Sequence, residues 1–154
     1  MADKLSKIGN VCLDASVVIK LLIREKDSDT SAYLFERLVQ QNSKIFEPTF
    51  LKVEVYSTLR KKSYLKQLPG RIIRTSLKFF EELPLDYKLE DKSLLDNSLK
   101  LAERLSMPVI YDCLYLALAQ QEKATFITAD ERFVKKAKRI YKNSLSLSEI
   151  ASGD

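Results

Sequence analysis

Short apolar strands recur along this chain with helical segments between them, and that alternation constrains the fold more than any other feature. Residues 10–13, "KIFEP" at 44–48, "LDYKLE" at 85–90, "ATFITAD" at 124–130 and "SLSLSEI" at 144–150 read as strands from their apolar, β-branched and alternating positions. Helices are predicted over 14–24, 28–41, 50–65, 71–83, 91–106, 111–123 and 131–141. Pro48 stops the second strand, and Pro84 ends the fourth helix. Strands that alternate with helices of this length give an α/β layered domain on a mainly parallel sheet, because parallel neighbours need a helical crossover. Ligands of such sheets bind outside the carboxyl ends of the strands.

At 154 residues the chain can bury a core without disulfides or a structural metal. We read residues 1–10 as a lead and 11–150 as one domain, with no internal repeat or linker. No apolar run reaches the roughly 18 to 20 residues of a spanning helix, and "MADKLSKIGN" lacks a continuous apolar segment, so a cytoplasmic protein without membrane contact is expected. Cys12 and Cys113 have no CxxC spacing and are read as buried reduced thiols.

The complete lack of histidine excludes Ser-His and Cys-His nucleophile pairs and any imidazole base. Carboxylate, Lys, Tyr, Ser/Thr and hard metal ions remain. A net charge of +5 favours a polyanionic partner.

Most acids lie beside Lys or Arg on polar helix faces, but four do not. Asp14 follows the apolar "VCL", Asp130 follows "ATFIT", Asp112 opens the apolar "YDCLYLALA", and Glu54 stands between Val53 and Val55. Each Asp is a reasonable helix cap; Glu54 is not at a helix start. As a set, the four could converge at one edge of the sheet, where their repulsion would call for protonation or a cation. Oxygen-only donors suit Mg²⁺ or Mn²⁺.

In order along residues 11–133, "VCLDASVVIK", "KVEVYSTL", "YDCLYLALA" and "FITADERF" resemble the PIN domain, most closely the VapC-type ribonuclease toxins of prokaryotic toxin–antitoxin pairs. The resemblance implies a three-layer α/β/α fold, a homodimer, a cognate antitoxin, and Mg²⁺- or Mn²⁺-dependent cleavage of RNA. It places the metal-binding and catalytic acids at Asp14, Glu54, Asp112 and Asp130, with supporting hydroxyls at Ser16 and Thr128. The lead of residues 1–10 is longer than in many members.

Those residues suit metal-assisted phosphodiester hydrolysis by one or two ions, with Glu54 ligating or positioning the attacking water. Candidate phosphate contacts are Arg60, Lys61, Lys62 and Lys66, then Arg71 and Arg74, then Lys135, Lys136, Lys138 and Arg139. Tyr111 and Tyr115 could stack on bases, but Tyr115 fits the core better. Two alternatives stay open: a nuclease of RNA maturation or of DNA, and a non-catalytic nucleic-acid-binding module.

Overall fold

In a computed structural model, residues 8–152 are described. Most of the lead, residues 1–7, lies outside them; Ile8 is buried in the core. The elements are β1 (Val11–Leu13), α1 (Ala15–Leu22), α2 (Ser28–Gln40), β2 (Ile45–Pro48), α3 (Phe50–Tyr64), α4 (Gly70–Glu81), β3 (Asp86–Lys88), α5 (Lys92–Leu105), α6 (Tyr111–Gln121), β4 (Thr125–Thr128), α7 (Glu131–Ala137), β5 (Ser144–Ser146) and α8 (Leu147–Ser152).

The five strands form one sheet of order β3-β2-β1-β4-β5, with every neighbouring pair parallel. The chain leaves central β1 for β2 and β3 on one side, then returns through α5 and α6 to β4 on the other. That reversal makes the carboxyl ends of β1 and β4 the switch point where such sheets open a crevice. Val11 pairs with Thr125 and Leu13 with Ile127, so Asp14 and the residues after Thr128 leave the sheet side by side.

Central β1 is wholly apolar because both sheet faces are covered. β1 is fully buried, as are Phe126 and Ile127 of β4. Helix α6 buries every residue from Cys113 to Ala119, and packs on α5 and on strands β1, β2 and β4. Helix α1 packs against α2, α3 and α4. This is the three-layer α/β/α arrangement expected from the resemblance.

One predicted element is corrected. "SLSLSEI" is a strand only over β5; from Leu147 it turns into α8. The cause is a capping box: the Glu149 carboxylate accepts from the Ser146 amide (2.8 Å), while Ser146 Oγ accepts from the Glu149 amide (3.3 Å). Local capping outweighs the alternating Ser-Leu pattern.

Candidate metal centre

Asp14 is the first residue beyond β1. Its amide donates to the Ile127 carbonyl (2.8 Å), so the sheet ladder itself fixes its backbone. The side chain is only 5% exposed. It occupies the cap position of α1 but makes no side-chain cap. Instead its Oδ2 accepts from Ser16 Oγ (2.6 Å) and from Thr128 Oγ1 (2.7 Å). Burial, the largest influence, raises the Asp14 pKa; the two hydroxyls oppose this, and the charge of Asp130 adds to it.

Ser16 and Thr128 also tie Asp14 to the neighbouring strand end. The Ala129 amide donates to Ser16 Oγ (3.1 Å), and the Asp130 amide donates to Thr128 Oγ1 (3.0 Å). Thr128 thus links the backbone of one acid to the side chain of another. Asp130 itself caps α7: its Oδ1 accepts from the amides of Arg132 and Phe133, both at 2.8 Å. The cap reading holds for Asp130 alone among the three Asp, because Asp112 lies inside the first turn of α6, after the cap position of Ile110.

Asp112 is half-buried, and burial followed by the charges of Asp14 and Asp130 pushes its pKa up to about 6. Glu54, also half-buried on α3, is pushed to about 7 by burial, then by Asp14 and Asp112, against the relief of a hydrogen bond from Tyr115. Thr128 joins Asp14 to Asp130, and Tyr115 joins Glu54 to the helix that carries Asp112, so hydrogen bonds draw the four acids toward one region of the sheet edge. Among the described residues none of the four is in an ion pair with Lys or Arg. No ammonium or guanidinium among the described residues therefore stands within ion-pair distance of the cluster.

Sequence reasoning missed a fifth acid. Glu47, in β2, is completely buried. The β1–β2 pairing stops at Cys12 opposite Phe46; beyond it the Leu13 amide donates to Glu47 Oε1 (3.1 Å). A carboxylate thus takes up a strand-edge amide beside Asp14. The other oxygen, Oε2, has no hydrogen-bond partner among the described residues. Burial, then Asp14 and Glu54, raise the Glu47 pKa well above its usual value, with the Leu13 amide opposing. The sequence signal was present: "KIFEP" puts an acid at the carboxyl end of an apolar strand, as "VCLD" does.

The donor chemistry fits a hard cation, being carboxylate and hydroxyl oxygen with no histidine in the chain. In Asp130, Glu54 and Glu47 one oxygen is occupied by a protein donor while the other accepts from none among the described residues. Such half-satisfied carboxylates suit an ion. No three acids among the described residues stand in a ready-made coordination shell. An ion that keeps several waters and takes only one or two carboxylates directly, as Mg²⁺ does, matches that spacing.

A groove opens next to Glu54 and Asp112, whose chain neighbours Val53 and Tyr111 line it. It encloses about 370 Å³ and is lined by Thr49, Phe50, Val53, Glu90, Leu95, Ile110, Tyr111 and Leu114. Its lining is mostly apolar, so it serves contact rather than ion chemistry. Glu90 caps α3 at its edge, accepting from Thr49 Oγ1 (2.5 Å) and the Phe50 amide (2.7 Å).

Tyr111 is half exposed and stacks on Phe50 with centroids 5.2 Å apart, whereas Tyr115 is fully buried. The basic candidates are dispersed. Lys61, Lys66, Arg71, Arg74, Lys135 and Arg139 are exposed, and Arg60 lies over the Tyr64 ring. Lys62 pairs with Glu25 (2.5 Å) and Lys138 with Glu149. Lys136 donates to the Leu105 carbonyl (3.0 Å), at the end of α5. Cys12 and Cys113 are free and buried.

An acidic centre at the switch point of a parallel five-stranded sheet defines the class. The PIN domain model matches residues 11–139, and the chain belongs to that family. No curated protein matches the chain. Among solved structures, VapBC2 from Rickettsia felis bound to a DNA fragment from their promoter is similar with a TM-score of 0.63 at 19% identity, over 88% of this chain and 96% of that one. PAE2754 from Pyrobaculum aerophilum is similar with a TM-score of 0.59 at 18% identity, over 94% of this chain and 98% of that one. At these identities the two structures speak for the fold.

Proposed function

We propose that this chain is a Mg²⁺- or Mn²⁺-dependent endoribonuclease, the toxin of a VapC-type toxin–antitoxin pair. The observation that carries the reading is the hydrogen-bonded linkage of Asp14 to Asp130 through Thr128, and of Glu54 to the helix of Asp112 through Tyr115, at the β1/β4 crevice, with no ion pair to any of the four among the described residues. Family membership supports nuclease chemistry, and the VapBC2 neighbour supports an antitoxin as partner.

The four acids would hold one or two ions. A cation bound there would supply an acidified water and stabilise charge developing on the leaving oxygen. The protein's own part is mostly preorganisation. Ser16 and Thr128 hold Asp14 on a backbone that the sheet has already fixed, and α7 holds Asp130 through two of its own amides. Burial, then the charges of Asp14 and Asp112, push Glu54 up to about 7, which suits a group that releases a proton when a cation arrives and that can orient a water.

The exposed Arg60, Lys61, Lys66 and Lys135 are the phosphate contacts in this reading, with Lys62 and Lys136 adding charge from beside their own partners. Val53, Leu95 and Tyr111, exposed along the apolar groove, form the surface that a second copy of the chain would cover in a cytoplasmic homodimer.

The test is cleavage of labelled structured RNA by the purified chain. Cleavage is expected with Mn²⁺ or Mg²⁺, and is expected to be abolished by EDTA, Asp14→Asn or Asp112→Asn. Activity that survives any of these overturns the reading. Cleavage of DNA with RNA left intact replaces the substrate and keeps the metal centre.

A further inference from the structure

Tyr115 stands one helical turn beyond Asp112, on the same face of α6. The ring is fully buried, yet the hydroxyl reaches across to α3 and donates to Glu54 Oε2. It is the single hydrogen-bond donor to Glu54 among the described residues, and Glu54 Oε1 accepts from none of them. A glutamate carries its carboxylate on three rotatable bonds, and at this half-buried helix position no other hydrogen bond among the described residues restrains them.

Resting on the metal-centre reading above, we propose that Tyr115 is a positioning residue of the cation site: its hydroxyl holds Glu54 Oε2 and so presents Oε1 to the ion or to its water. Helix α6 then contributes twice, with Asp112 as a ligand and Tyr115 as the clamp on a ligand from another helix. The same logic operates at Asp14, where Ser16 and Thr128 both occupy Oδ2. A partner that orients a ligating group typically changes metal affinity by 10–100-fold when it is removed.

Calorimetric Mn²⁺ titration of the full chain tests this with wild type, Tyr115→Phe, Glu54→Gln and the double variant. The ring survives in Tyr115→Phe, so thermal unfolding without metal should stay close to wild type. Its Mn²⁺ affinity should fall by about 10–100-fold, and RNA cleavage should recover as Mn²⁺ is raised. In the Glu54→Gln background the Tyr115→Phe change should have no further effect on Mn²⁺ affinity. Wild-type affinity in Tyr115→Phe, or an equal loss in both backgrounds, overturns the proposal. A wild-type chain that takes up no Mn²⁺ at millimolar concentration overturns the metal centre itself, and this proposal with it.

Discussion

Replacing Asp14 with Asn should make the metal-free protein more stable and the metal-loaded protein less so. The carboxylate is 5% exposed, and its charge also raises the pKa of Glu47, Glu54 and Asp112. Asn keeps the shape, and its carbonyl oxygen can accept from Ser16 and Thr128 as Oδ2 does now. What disappears is a buried charge and its repulsion of the neighbours.

One pKa unit is worth about 1.4 kcal/mol, and solvent reduces the share of half-exposed Glu54 and Asp112. We set the relief at about 1–2 kcal/mol at pH 7.5, a rise of about 2–8 °C in Tm for a domain of this size. The sign follows from the raised native pKa. Stability from the protonated form is complete below the usual carboxylate range and is lost as pH climbs through the raised value. The advantage of Asp14→Asn should therefore grow as pH rises above the usual carboxylate range and level off once Asp14 is ionised in the native state.

Mn²⁺ at 100 times its Kd stabilises a binding protein by about 2.7 kcal/mol, or about 5–11 °C. Wild type should show that shift and Asp14→Asn should not, so the order of Tm values reverses on adding metal. Differential scanning fluorimetry with and without Mn²⁺ measures both. A metal-free Asp14→Asn chain that melts below wild type at pH 7.5, or one that keeps the full Mn²⁺ shift, refutes the reasoning.

Three further outcomes are expected. Mn²⁺ affinity should strengthen from pH 5.5 to pH 8, because Asp112 near 6 and Glu54 near 7 must release protons to bind; a flat calorimetric profile would exclude them as ligands. Glu47→Gln keeps an acceptor for the Leu13 amide whereas Glu47→Leu leaves it buried and unpaired, so urea unfolding should place Glu47→Leu about 1–3 kcal/mol below Glu47→Gln. Binding of single-stranded RNA to the uncleaving Asp112→Asn chain should fall with log salt, and Lys61→Ala or Lys135→Ala should each lessen the slope by about 0.7 if they touch phosphate.

The strands and the four acids were legible because each rests on a local signal. "VCL" and "TFIT" are apolar on both faces, and an acid directly after them is anomalous at once. What each acid does there depended on the fold: Asp130 is a cap and Asp14 is not, although both follow a strand. Glu47 escaped notice because Pro48 follows it at once and reads as the stop of the strand, and an exposed position is the usual outcome for a glutamate. Tyr115 read correctly as core from its apolar helix, but the partner of its hydroxyl lies 61 residues away and no periodicity reports that. Helix α8 was hidden by a Ser-Leu alternation, even though Ser146 and Glu149 carry the spacing of a capping box.

The cation site at the β1/β4 crevice is tested most directly by a crystal of the chain soaked with Mn²⁺. An anomalous peak is expected among Asp14, Asp112 and Asp130, with Glu54 bound directly or through one water. A peak elsewhere on the molecule, or none at millimolar Mn²⁺ near pH 8, would contradict it.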